Sequence, residues 1–273
     1  MIDDAYSNLL VERSGSALEI TLDRPEVRNA LDETLIEELT RCVNDAAQAG
    51  GVRALILRGA GNAFCAGADL RWMARAADYS YEENLQDART LQRLLAAIAE
   101  FPGATLALAH GAAIGGGAGL VAACDIAIAQ AHTTFAFSEV RLGLAPAVIS
   151  PYVIDRIGAG TARRLFITGE RFDASAALRF GLVDHVTDGM ADSEKQVGNI
   201  LSQILQAGPG AIAAAKLLTR KVSGKSAADA ADLTAETIAR LRVGAEGQEG
   251  IHAFLEKRKA SFVESISVTE DRT

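Results

Sequence analysis

A chain of 273 residues, 49% apolar and 23% charged, buries a substantial core, which excludes a disordered or fibrous protein. Its net charge of -8 and pI near 5.1 exclude a broad footprint for nucleic acid, which needs clustered Lys and Arg; KRK at 257–259 is the local exception. Cys42, Cys65 and Cys124 are too scattered for a disulfide framework or a zinc spacing, so they are expected as reduced thiols, with no metal.

The opening stretch MIDDAYSNLL lacks a basic region followed by an apolar one, so a cytoplasmic location is expected. ALEITLD (17–23) alternates Leu18, Ile20 and Leu22 with polar partners, which predicts a strand with one buried face, in a hairpin with LLVER. After RPEVRNAL, Asp32 is placed as an N-cap, and Leu35, Ile36, Leu39, Val43 and Ala46 recur at helical spacing up to Gly50 and Gly51. RALILRG (53–59) reads as a short buried strand, so strand, helix and strand make a parallel crossover. Leu91, Leu94, Leu95 and Ile98 predict a second amphipathic helix, broken at Pro102 and Gly103 and followed by the strand TLALAHG. DIAIA (125–129) and LVDHV (182–186) predict further strands. Helices are expected near 191–207, 209–222, 226–242 and 248–263.

Residues 101–124 carry no Asp, Glu, Lys or Arg, a length that alone would pass for a membrane span. The glycines at 103, 111, 115, 116, 117 and 119 each cost a helix interior about 1 kcal/mol relative to Ala, so strand, glycine loop and short buried helix is the better reading. Gly117, Gly119 and Ala122 match the dinucleotide pattern G-x-G-x-x-A, with Glu139 downstream. Two features oppose it: HGAAI separates the strand from the glycines, and the helix must stop before the strand at Asp125. A Walker pattern is absent for want of G-K-[ST]. The alternative use of such a loop is to present N–H groups at a helix start to an oxygen that gains charge during a reaction. In GNAFCAGADLRWM (61–73), Ala66, Gly67 and Ala68 leave a second stretch of backbone open to close approach, and Asp69 is placed to cap the segment after it.

GNAFCAGADL, HGAAIGGGAGLVAACDIAIA and FAFSEVRLGLAP, with RPEVRNAL before and FLEKRKASF after, resemble in type and order the enoyl-CoA hydratase/isomerase (crotonase) family. The resemblance covers nearly the whole chain. It implies an α/β fold, a crotonase-like spiral of repeated ββα units over residues 1–190, with a helical C-terminal oligomerisation region over 191–273. It also implies a homotrimer or dimer of trimers acting on an acyl-CoA thioester, with coenzyme A as part of the substrate and no separate cofactor. Neither nucleic acid nor membrane is expected as a partner. By motif position, the N–H groups of Ala68 and Gly116 would hold the thioester oxygen and Glu139 would exchange protons with the substrate. Ala30 and the stretch Ala66, Asp69, Leu70 and Arg71 would line the CoA channel. Arg28 and Arg71 would meet its phosphates, as guanidinium forks suit phosphate oxygens, and Lys257 would reach the adenosine phosphates, in some members from a neighbouring subunit.

The chain departs from the family at Gly119, where hydratases carry the first of two glutamates. Either Glu139 acts alone, or Glu82, Glu83 or Asp87 of YSYEENLQDA supplies the second acid, or the protein does not hydrate. SEVRLGLAPAVISPYVIDRIG resembles a branch that acts on methylglutaconyl-CoA and carboxylated isoprenoid relatives in leucine or terpene breakdown, and that also tends to lack the first glutamate. A second substrate carboxylate would require a cation, for which Arg75, Arg89 and Arg141 are candidates. The expected activity is reversible hydration of a branched or carboxylated enoyl-CoA through an enolate; the alternatives are a double-bond isomerase and a silent acyl-CoA or RNA binder. His110 and His185 are expected to be structural.

Overall fold

The computed structural model describes residues 6–265. The alternating segment forms β2 (Ala17–Leu22), which turns back antiparallel on β1 (Leu9–Ser14) with Leu9 opposite Leu22. Helix α1 (Glu33–Ala49) starts where Asp32 Oδ1 accepts the Leu35 N–H at 2.9 Å, and it stops at Gly50. Strand β3 (Ala54–Gly59) then lies parallel to β2, completing the expected crossover. Parallel addition of β4 (Ala104–Ala109), β6 (Ile126–Gln130) and β9 (His185–Thr187) gives a six-stranded sheet in the order β1-β2-β3-β4-β6-β9. A smaller sheet is formed by β5 (Ala112–Ile114), β7 (Thr134–Ala136) and β8 (Arg171–Asp173). The pairs β4/β5 and β6/β7 each give one strand to each sheet and are each followed by a helix, α4 (Gly116–Ala123) or α5 (Ser150–Thr168), so the repeating unit is ββα.

The continuous apolar runs of β3 and β4 are explained by cover on both faces of the large sheet. On one face α1, α3 (Tyr81–Glu100) and α4 enclose the main core. On the other, Val197 and Ile200 of α7 (Met190–Ile204) meet Ile56, Leu106 and Ile128. The charge-free stretch 101–124 becomes β4, β5 and α4, and α4 is buried almost all round, which is why it shows no amphipathic stripe. Among the described residues no helix is long and apolar enough to cross a membrane.

Two elements differ from expectation. LVDHV yields a strand only from His185, because the Asp184 carboxylate accepts the Ala127 N–H at 2.7 Å and pairs with Arg156, which holds that residue at the strand's entrance. The last helix, α10 (Ala245–Leu255), follows α8 (Pro209–Val222) and α9 (Ala227–Val243) and stops well before residue 263. Lys257 takes a left-handed φ of 56°, and the Arg258 N–H reaches back to Ala253 O at 3.0 Å, a helix-ending turn that glycine usually makes. Arg258 is paired with Glu249 and Glu256, so the KRK run is partly neutralised by its own helix end.

All three cysteines are buried, and burial pushes Cys42 up to about 11 and Cys65 and Cys124 up to about 12. The native protein is therefore expected to resist a thiol-reactive dye at about pH 8, where the unfolded chain reacts fully. Rapid uptake by the folded protein would show that the core opens around one of them.

Candidate active site

The loop after β3 is held from both sides. Cys65 donates to Ala112 O at 3.0 Å and accepts from Ile114 N at 3.0 Å, which adds this residue to the edge of β5. Three residues on, Leu31 N donates to Gly67 O at 2.7 Å and Leu31 O accepts from Asp69 N at 2.8 Å. In such a parallel bridge the residue between the two bonded neighbours turns its own N–H to the other side. That residue is Ala68, and among the described residues its amide donates no hydrogen bond.

A second undonated amide arises from a helix start. Gly116 is the first residue of α4, so its N–H lies before the i to i-4 ladder begins, and among the described residues it has no acceptor. Gly115 makes the turn into the helix with a φ of 51°, and a Cβ there would fall 3.1 Å from Glu139 Oε1. Glycine is therefore needed at 115 both for the turn and for the approach of Glu139.

Glu139 opens a 3-10 turn just after β7, two residues beyond the fully buried Phe137. Phe137 packs edge-on against Phe166 with ring centroids 5.3 Å apart and also lies against Phe172, so an aromatic cluster anchors the backbone that carries the carboxylate. Glu139 Oε2 is buried with no hydrogen-bond partner. Burial pushes this carboxyl above the ordinary carboxylate range, offset only in part by a bond to its own backbone.

Ala68, Gly116 and Glu139 line one cavity of about 190 Å³, together with Leu31, Trp72, Leu91 and the run Ala145, Pro146, Ala147, Val148 and Ile149. Glu139 is the one ionisable residue in that lining. Gly119, a turn further along α4, is closed off: a Cβ there would fall 2.9 Å from Ile149 Cβ and nearer still to Ile149 Cγ2. The absent side chain thus leaves an apolar wall of Ile149.

The channel candidates fall on adjoining loops. Ala66 N donates to Arg28 O at 3.0 Å, joining the two segments, and Arg28, Leu70 and Arg71 are exposed around them. Ala30 is buried, and its carbonyl accepts from Arg24. Asp69 is occupied in structure: it caps α2 (Leu70–Ala76) through the Arg71 and Trp72 N–H groups and pairs with Arg24 at 3.0 Å. Burial pushes its carboxyl up, but those N–H groups and Arg24 outweigh it and hold it below the ordinary value. Lys257 is exposed in the turn after α10, and no contact brings it to the cavity.

Of the other acids proposed, Glu82 is exposed on α3, and Glu83 closes the capping box with Ser80. Asp87 is half-buried, is not in the cavity lining, and accepts the indole N–H of the lining residue Trp72 at 3.1 Å. Arg75 pairs with Glu33, Arg141 bonds Gly169 O, Arg89 is exposed, and none of the three lines the cavity. His110 is buried against Gly61 O at 3.1 Å, and burial lowers its pKa; His185 lies in β9. Sequence reasoning passed over Arg24, Trp72 and Ile149. Arg24 directly precedes Pro25, a visible signal of a fixed turn; the placement of Ile149 depends on how two helices pack and leaves no local mark.

The dinucleotide pattern has no matching geometry, since α4 has only eight residues and is separated from β4 by its own short strand. Comparison with known proteins agrees. A family model described as enoyl-CoA hydratase/isomerase matches residues 12–265. An enoyl-CoA hydratase of solved structure from Shewanella pealeana superposes with a TM-score of 0.92 at 39% identity, covering 95% of this chain and 97% of that one. Crotonyl-CoA hydratase from Syntrophomonas wolfei is 30% identical over 261 residues, 95% of this chain and 99% of its own. An enoyl-CoA isomerase/hydratase from Mycosarcoma maydis is 33% identical over 253 residues, 89% and 91% of the two chains.

Proposed function

Because the chain belongs to the enoyl-CoA hydratase/isomerase family and has the crotonase fold, we propose that it reversibly hydrates an α,β-unsaturated acyl-CoA with a branched apolar acyl group. One observation carries this reading: a buried, unpartnered carboxylate oxygen and two undonated amides line the same small cavity. The amides of Ala68 and Gly116 receive the thioester oxygen. Water adds to the β-carbon, the double-bond electrons move to that oxygen, and Glu139 takes the water proton and returns a proton to the α-carbon. Each amide donor contributes about 2.7 to 4 kcal/mol to such an enolate-like state. The raised pKa of Glu139 suits it to give the proton back as readily as it takes it.

The apolar lining from Ala145 to Ile149 and the lack of a cation in the cavity among the described residues favour a branched over a carboxylated acyl end. Isomerisation of the double bond is the second reading, favoured by the single carboxylate, since one base can carry a proton from the γ- to the α-carbon. Arg28 and Arg71 are proposed to meet the CoA phosphates, with Ala30, Ala66, Asp69 and Leu70 shaping the channel. Lys257 would act from a neighbouring copy in a trimer or dimer of trimers. The exposed Phe254 and Leu255 beside it, 82% and 69% accessible, support packing against a second copy.

Turnover of crotonyl-CoA and a branched enoyl-CoA in oxygen-18 water tests the reading. Label in a 3-hydroxyacyl product is expected. Rearranged product without label would make the enzyme an isomerase, and no product from either would remove both readings.

A further inference from the structure

We infer that Ile149 is a specificity-determining residue: it confines water and proton transfer to the Glu139 side of the cavity and so sets how the bound enoyl thioester divides between hydrated and rearranged products. The inference rests on the reading of Glu139 as the base. Ile149 is 2% exposed, sits at the start of α5 and lines the cavity that Glu139 lines. It also fills the space over Gly119, where a Cβ would stand 2.9 Å from its own Cβ. Positions 119 and 149 are therefore exclusive: one side chain fits between α4 and α5, and the chain places it at 149.

A water held near the β-carbon requires two or more polar partners, and this requirement gives the apolar wall its chemical consequence. On the Ile149 side the wall consists of Ala145, Pro146, Ala147, Val148 and Ile149, and the undonated amides are reserved for the thioester oxygen. The two oxygens of the Glu139 carboxylate are thus the one side-chain anchor that the lining offers the attacking water. The same carboxylate can instead remove a γ-proton: the C–H electrons form the β,γ double bond, the α,β electrons pass to the thioester oxygen, and Glu139 returns the proton to the α-carbon. The two outcomes compete for one carboxylate, and the apolar bulk of Ile149 decides how often a water is present.

The test uses 2-hexenoyl-CoA in oxygen-18 water, with hydrated and rearranged products separated by mass spectrometry. Ile149→Thr, close in shape and able to hold a water, is expected to raise the ratio of hydrated to rearranged product by about threefold or more. Ile149→Gly is expected to raise it by about tenfold, and Ile149→Gly with Gly119→Glu further still, because a second carboxylate then faces the water. Gly119→Glu alone is expected to lose folded protein, since Ile149 still occupies the space. Near-UV circular dichroism establishes folding for each variant, and Ile149→Thr keeps the test alive if the glycine variants do not fold. Ratios within twofold of the parent in the folded variants, with Glu139→Gln inactive, would overturn the role of Ile149 and leave the base assignment standing. Full turnover by Glu139→Gln would overturn that assignment and the inference with it.

Discussion

Glu139→Gln is expected to lower kcat by about 10²- to 10⁴-fold, the range that a positioned acid/base group supplies, with KM changed little. The amide keeps the shape and polarity of the carboxyl, so Gly115 still turns under it and the Phe137 anchor is undisturbed. The capacity to take a proton from water and pass it to carbon is lost. Loss of kcat and kcat/KM in equal measure marks an interaction made in the transition state; a rise in KM with unchanged kcat would mean that Glu139 only helps to bind.

The same substitution has a second, opposite effect. Burial raises the Glu139 carboxyl in the folded chain above its unfolded value, so between those two values the folded state binds more protons than the unfolded one. Its contribution to stability is complete below the ordinary carboxylate range and is lost as pH rises through the raised value. Glutamine stays neutral throughout. Glu139→Gln is therefore expected to melt above the parent near neutral pH, with the difference shrinking as pH falls through the carboxylate range. A melting temperature equal to the parent's at every pH would show that the burial of Glu139 carries no such cost. In the parent, the acid limb of kcat/KM should lie above that of an ordinary glutamate.

Where periodicity is local, sequence and structure agree. The alternation of Leu18, Ile20 and Leu22 and the helical spacing after Asp32 each arise from one buried face on one element. Helix α5 carries no such clear signal: Pro151 stands in its first turn and Gly158 interrupts it with a φ of 72°, so its apolar residues fall out of phase. The end of α10 at Lys257 is hidden for a related reason, since a lysine stands where glycine normally reports the turn.

The site divides in the same way. The proposed backbone donors are legible because such donors need glycine and alanine in quantity, and the proposed base Glu139 because it stands in a motif that resembles a known family's. Ile149 and Arg24 act through partners 30 and 45 positions away, respectively Gly119 and Asp69, and such pairings exist only after packing. Arg28 and Arg71, the arginines that the motifs single out, are both exposed, whereas Arg24, in the same loop, is largely buried.

Arg24→Met is therefore expected to be more damaging than Arg28→Met or Arg71→Met. One guanidinium meets Asp32 at 2.9 Å, Asp69 at 3.0 Å and the Ala30 carbonyl, tying the RNAL segment to the strand-like loop whose middle residue, Ala68, lines the cavity. Methionine keeps the apolar stem and leaves Asp69, 5% exposed, without its counter-charge. Removing one partner of a fully buried pair costs about 3 to 5 kcal/mol; this pair is partly buried and Asp69 keeps its two N–H bonds, so the cost should fall below that range and still appear as a clear fall in melting temperature. Asp69 now sits below the ordinary carboxylate value, so its stabilising contribution is present above that value and is lost as pH falls through the lowered one. In Arg24→Met this acid limb should move to higher pH. Adding Asp69→Asn removes the stranded charge while keeping a side chain that caps α2, so the double variant should recover much of the lost stability. Turnover should stay depressed by about tenfold or more, since the tie that sets the Ala68 amide is still missing and misplacement by an ångström is costly to a preorganised site. Recovery of kcat together with stability would show instead that Arg24 only neutralises charge and that Leu31 alone fixes the loop.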